Sequence, residues 1–227
     1  VGVQRTLTNP LDVLNDIEGI KNILDNCSKY KIKRLFFSSS SEVYGEPFES
    51  PQNELTTPLN SRLPYAIVKN VCESYIKTYN KQYGINFTIL RLFNTFGPSQ
   101  SEDFVISKFI KNAISNKNLE IYGDGKQTRS FIYIDDNVNF TKKIFNKEIL
   151  INQTVNLGND EEITILKLAK LIIRLTKSKS KIIFKKKLTE GDMNSRKPDI
   201  SKMKKYYKIK LFSLENGILK TIKSFKK

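Results

Sequence analysis

The stretch Leu35-Phe36-Phe37-Ser38-Ser39-Ser40-Ser41-Glu42-Val43-Tyr44-Gly45, followed further on by Pro64-Tyr65-Ala66-Ile67-Val68-Lys69, decides how the rest of the chain is read. An apolar run ending in hydroxyls has the pattern of a buried parallel strand whose C-terminal end opens into a polar loop. In open α/β sheets that end is where ligands bind. The segment after Pro64 reads as a helix, so Tyr65 and Lys69 share one face and can meet in space. Hydroxyls at a strand end, facing a Tyr/Lys pair, can handle protons on a sugar or alcohol oxygen.

Outward from this stretch the pattern continues. Residues 1–10 read as a loop. Val13, Leu14, Ile17, Ile20, Ile23, Leu24 and Cys27 are spaced for one face of a helix over Leu11–Lys31. The Tyr65 helix runs to about Tyr83, with Gly84 at the C-cap position. Asn86–Leu92 is a second buried strand, rich in β-branched and apolar residues. Phe93–Pro98 turns the chain out of the sheet.

Further on, a helix is expected over Asp103–Asn116 and a strand over Leu119–Tyr122. A Gly-rich loop over residues 123–130 leads to a strand over Phe131–Ile134. Asp135 or Asp136 then caps a helix to about Lys147. Strands Thr154–Leu157 and Ile182–Phe184 flank a helix over Thr164–Lys177. A polar loop over Glu190–Ile200 precedes a last helix starting near Ser213. The expected fold class is α/β, a Rossmann-type parallel sheet with a smaller mixed α/β substrate lobe. Residues 1–97 form the sheet part with the Ser/Tyr/Lys site, and residues 98–227 form mainly the lobe; residues 131–147 can return to the sheet.

The 227 residues, 39% apolar and 11% aromatic, support a globular chain with a real core. Cys27 and Cys72 fall in expected helices, and with no His in the chain they make neither a common metal site nor a disulfide framework. The absence of His also removes Ser-His-Asp hydrolysis, so proton transfer falls to Tyr, Lys, Ser or carboxylates. No apolar run approaches the roughly 20 residues of a membrane span, and no signal peptide is visible. A soluble, cytoplasmic chain is expected. The net charge of +16 comes from lysines spread along the sequence rather than a basic arm, which favours anionic small molecules over nucleic acid.

Ser-Ser-Ser-x-Glu-Val-Tyr-Gly followed by Tyr-x-x-x-Lys resembles the extended short-chain dehydrogenase/reductases, the NAD-dependent epimerase/dehydratase family of nucleotide-sugar enzymes. The resemblance implies NAD as cofactor, a nucleotide sugar (a UDP-sugar) as substrate, and a homodimer built on the helices Leu11–Lys31 and Tyr65–Tyr83. Position by position it assigns Ser40, Tyr65 and Lys69 as the proton-handling triad. It places Ser38, Tyr65, Lys69 and Leu92 at the cofactor, and Ser41, Asn94, Arg129 and Arg196 at the substrate. Among the ten glycines none forms G-x-G-x-x-G after a strand. By the same resemblance, roughly the first two βα units of a full-length relative are absent, which leaves a partial chain or a non-catalytic remnant as the competing reading.

Ser41-Glu42 stands where the dehydratases of that family carry Asp-Glu, which points away from dehydration. The pair looks like that of the uronate decarboxylases, with Glu42 catalytic and Arg196 in the loop Ser195–Ile200 matching an active-site arginine. Arginine suits phosphate or carboxylate because its fork makes two hydrogen bonds at once. The segment Thr57–Pro64 looks instead like the 4-epimerases. Decarboxylation and epimerisation after C4 oxidation both stay open.

Overall fold

The computed structural model describes residues 8–46, 48–187, 196–208 and 210–225. Strand β1 (Arg34–Ser40) pairs in parallel with β2 (Asn86–Leu92), and β2 with β7 (Gln153–Leu157), giving a sheet of order β1-β2-β7. Register sets Ser40 beside Leu92 and Leu92 beside Leu157, so the three strands finish on one level. The loops that leave that level form the rim on which the site is built.

Period-two alternation sorts the strand side chains between two helical layers. Phe87 and Ile89 of β2, with Leu35 and Phe37 of β1, meet Leu24 of α2 (Asp16–Lys29) and Val68, Cys72 and Ile76 of α3 (Pro64–Tyr83). Leu90 faces the opposite layer, with Phe140 and Ile144 of α5 (Ile134–Phe145) and Met203 of α7 (Ser201–Tyr206). Helix α3 starts with proline in its first turn, where no N–H is required, and stops at Gly84, whose φ of 70° ends it in the left-handed region.

The second layer of structure is smaller. Helices α4 (Val105–Ile114), α6 (Ile165–Thr176) and α8 (Leu214–Phe225) enclose Phe109, Ile110, Leu168, Ile172 and Ile218. Short pairs edge this core: β4 (Leu119–Tyr122) with β9 (Ile182–Lys185), β5 (Thr128–Ser130) with β8 (Glu162–Thr164), and β3 (Thr95–Phe96) with β6 (Ile132–Tyr133). Strand β7 and helices α5 and α7 belong to the sheet layer although they lie beyond residue 98. The main sheet therefore follows the division at residue 97 only in part.

Several expected boundaries move. The first helix is split into α1 (Pro10–Leu14) and α2, with Asn15 between them. The run Phe93–Pro98 does not simply leave the sheet, since β3 pairs with β6. Neither Asp135 nor Asp136 caps α5; Tyr133 holds the cap position, and Asp136 accepts instead from the Phe212 N–H at 2.9 Å. A buried tertiary donor has taken the carboxylate that local pattern offered to the helix. Residues 1–7 of the expected N-terminal loop and 190–195 of the Glu190–Ile200 loop lie outside the described residues. Cys27 and Cys72 are buried free thiols.

Gly45 closes the polar loop with a φ of 59°, and a Cβ there would run into the Asn60 carbonyl oxygen. That segment is tied back to the loop by Asn60 N–H and Ser61 Oγ, both donating to the Val43 carbonyl at 3.1 and 3.0 Å. Gly45→Ala is expected to cost about 2–3 kcal/mol, combining left-handed strain with a backbone clash. Thermal unfolding checks this, and a melting point equal to wild type would show that the Asn60 strap yields freely.

Candidate active site

Beyond the end of β1 the chain makes one 3-10 turn, Ser41–Tyr44, and Ser40 caps it by accepting from the Glu42 N–H at 3.2 Å. This turn aims Glu42 back over the strand ends. Pro64 opens α3 on the far side of the rim, so Tyr65 sits in its first turn and Lys69 one turn later. The Tyr65 phenol and the Ser40 hydroxyl face the same cavity. The Lys69 ammonium donates to the Ser38 carbonyl at 2.9 Å and lies 4.9 Å from the Phe37 ring centroid and 5.7 Å from that of Tyr65.

These groups wall a cavity of about 280 Å³ together with Ser41, Leu92, Asn94 and Arg196. A larger hollow of about 780 Å³ lies at the opposite, N-terminal ends of β1 and β2, around Lys33, Arg34 and Asn86. Parallel sheets bind ligands at the other end, where the hydroxyls converge, so the smaller cavity is the candidate site.

Arg196 reaches it from the far end of the chain. Its guanidinium grips Glu42 with two bonds, Nη1 to Oε1 at 2.5 Å and Nη2 to Oε2 at 3.0 Å, and the side chains are only 6% and 16% exposed. Glu42 is therefore neither a solvated loop residue nor an isolated carboxylate. Asn94 turns its amide to the Ser130 carbonyl at 3.0 Å, joining the rim to the second lobe. Arg129 does not line this cavity: it sits on β5, and its Nη1 donates to the Thr128 carbonyl at 2.7 Å.

Two electrostatic findings bear on the chemistry. Burial pushes the Tyr65 phenol above its ordinary range; the nearby Ser40 hydroxyl offsets this only in part, and the Glu42 and Asp16 charges add to it. Desolvation is thus the largest influence on this phenol. Burial also lowers the Lys69 ammonium, against the opposing charges of Cys72 and Asp16.

Gln100 and Phe104 also face the cavity and escaped the sequence reading. Gln100 donates to the Thr95 carbonyl at 2.6 Å and accepts from Ser107 at 3.1 Å. The polar run Pro98–Asp103 carries no period that marks one side chain over another, so no local signal could have found them.

Over residues 1–158 the sequence matches the model of the NAD dependent epimerase/dehydratase family. The chain belongs to that family. It is 39% identical over 225 residues to the UDP-glucuronic acid decarboxylase 1 of Danio rerio, covering 96% of this chain and 53% of that protein. The chain thus spans about half the length of the first curated relatives it matches. Among solved structures it resembles the Thermotoga maritima UDP-glucose 4-epimerase with UDP-glucose, at a TM-score of 0.92 and 28% identity, covering 100% of this chain and 74% of that one. It also resembles the Bacillus cereus UDP-glucuronic acid 4-epimerase in complex with UDP-glucuronic acid and NAD, at a TM-score of 0.86 and 28% identity, covering 93% and 67%. Both of these solved structures are named 4-epimerases, whereas the curated sequence relative is named a decarboxylase. Among the described residues no helix is long and apolar enough to cross a membrane.

Proposed function

We propose that this chain carries the proton-handling residues of an NAD-dependent nucleotide-sugar enzyme that oxidises a UDP-uronate at C4 and then decarboxylates it. The observation that carries this reading is the Arg196–Glu42 pair in the wall of the Ser40/Tyr65/Lys69 cavity. It sets a guanidinium already holding one carboxylate, that of Glu42, near the groups that handle a hydroxyl proton, so a uronate carboxylate would compete with Glu42 for the fork. The zebrafish relative bears the name of a UDP-glucuronic acid decarboxylase, which supports the same substrate class.

The residues present fit the nicotinamide end of NAD, because Ser38, Tyr65, Lys69 and Leu92 wall one side of the cavity where two parallel strands end. When bound, NAD supplies the acceptor for the C4 hydride and returns it at the close of the cycle. Tyr65 takes the C4 hydroxyl proton, with Ser40 hydrogen-bonded to the same sugar oxygen. Burial favours the protonated phenol, and positive charge brought into the cavity beside it favours the base form. Lys69 holds the ring face and the Ser38 carbonyl in place. The resulting β-keto acid loses its carboxylate as CO2 from C5, and a proton replaces it there. Tyr65 then returns its proton to the C4 oxygen as the ketone is reduced.

Arg129, outside the cavity on β5, is assigned to the diphosphate, and Ser41 and Asn94 to the sugar. The division into a sheet part and a substrate lobe fits this assignment. A cytoplasmic homodimer is part of the same proposal, supported by exposed Leu11, Ile23 and Ile67 on α1, α2 and α3. The second reading is a 4-epimerase, favoured by the Thr57–Pro64 segment and by the Thermotoga maritima neighbour. Incubation with NAD and either UDP-glucuronate or UDP-glucose separates the two. The expected result is CO2 release and a UDP-pentose from the first. Interconversion at C4 with no CO2 establishes the epimerase, and no reaction with either sinks the enzymatic reading.

A further inference from the structure

Beneath the cavity floor lies a buried polar cluster that the proposed chemistry does not use. Alternation along β2 places Arg91 on the same face as Phe87 and Ile89, towards α3, so a cation is directed into an apolar layer. Its partner is Glu73 on α3, one turn beyond Lys69. Arg91 Nε and Nη2 donate to the two carboxylate oxygens at 3.0 and 2.8 Å, with the side chains 3% and 1% exposed. Glu73 also accepts from Ser39 Oγ at 2.7 Å. Ser39 lies beside Arg91 in the sheet register. It stands between Ser38, whose carbonyl holds Lys69, and Ser40, which caps the Glu42 turn and shares the cavity wall with Tyr65.

The cluster continues to the other side of the site. Arg91 Nη1 donates to the Tyr44 hydroxyl at 2.9 Å, and that hydroxyl donates to Asn156 Oδ1 on β7 at 2.8 Å. Asn156 Nδ2 donates to the carbonyls of Gln52 and Asp199 at 2.9 and 3.2 Å. Gln52 in turn is laced to the segment bearing Arg196, its N–H donating to the Lys197 carbonyl and its carbonyl accepting from Asp199, both at 2.8 Å.

We infer that Glu73, Arg91 and Ser39 are positioning residues that fix the helix carrying Tyr65 and Lys69 against the strand carrying Ser38 and Ser40. Through Tyr44 and Asn156 the same cluster sets the Arg196 segment against that unit. The carboxylate bonds to strand and helix at once, so any slide of α3 along β1 breaks a buried, charge-assisted hydrogen bond. The inference rests on the proposed roles of Tyr65 and Ser40, but its test does not require turnover.

Removing Glu73 outright leaves a buried guanidinium without its carboxylate and can unfold the chain, so milder changes are the probe. Ser39→Ala removes one hydrogen bond and leaves the ion pair. Glu73→Asp keeps the charge but withdraws it by one methylene. The readout is the 13Cζ resonance of Tyr65 in the ligand-free full chain labelled at tyrosine, assigned by its loss in Tyr65→Phe. Both variants are expected to move that resonance while the exposed Tyr30 and Tyr83 stay in place. With substrate, kcat is expected to fall about tenfold at little-changed KM, as for a small misplacement of reacting groups. An unmoved Tyr65 resonance in both folded variants overturns the inference, whatever happens to the melting point. Absence of turnover in the wild type counts against the proposed function and leaves the resonance test intact.

Discussion

Tyr65→Phe is expected to lower kcat by about a thousandfold while leaving nucleotide-sugar binding nearly unchanged, the scale of losing a positioned proton carrier. The ring stays in its slot, because Lys69 is anchored independently on the Ser38 carbonyl and over the Phe37 ring. Only the hydroxyl goes, and Ser40 keeps its bond from the Glu42 N–H. The pH profile should change as well. Burial raises the phenol of the free protein, so the wild-type kcat/KM is expected to climb with pH towards the raised value. The phenylalanine variant has no such limb. Saturating kinetics at neutral pH check the first point, and kcat/KM from neutral to alkaline pH checks the second. A loss smaller than about tenfold would assign the proton to another group.

The largest effect on stability is expected at Glu73→Ala. Burial pushes this carboxyl up, yet the hydrogen bonds and charge of Arg91, with help from Ser39 and Lys77, outweigh burial and hold it below its ordinary range. Its removal leaves the Arg91 guanidinium in an apolar layer without its carboxylate, which costs about 3–5 kcal/mol. For a chain of this size that lowers the melting temperature on the order of 10 °C. The sign with pH follows from the lowered folded-state value. The ionised pair contributes fully at neutral pH, and its contribution fades as the pH falls through that value. Denaturant unfolding of the wild type and the variant at neutral and acid pH checks both. The gap should narrow in acid, and equal stabilities at neutral pH would show the pair to be energetically idle.

Those two residues also show what could be read from the sequence and what could not. The strand, loop and helix around Ser38–Lys69 were legible because apolar runs, a hydroxyl cluster and Pro64 leave local marks. So was the C-cap at Gly84, which needs only its own backbone freedom. Family membership was equally visible in the Ser-rich loop and Tyr-x-x-x-Lys. Arg91 looked like one charge in an otherwise apolar strand, and nothing in NFTILRL names a partner on a helix already passed. The Glu42–Arg196 pair was likewise hidden. Both residues were picked singly, but their union depends on a crossing of segments 154 positions apart. Asp135 and Asp136 mislead in the opposite direction, since local pattern cannot foresee that the Phe212 N–H arrives to claim one of them.

Anchoring α3 at Glu73 has a consequence for how a bulky ligand gets in. A helix pinned midway to two strands cannot swing its first turn aside to admit a sugar, so the yielding wall has to be opposite. That wall is the Gln100–Phe104 stretch, which joins the sheet to the second lobe and holds on through the amide of Gln100. The Ser40/Tyr65/Lys69 end of the cleft is the side braced by Glu73, Arg91 and Ser39.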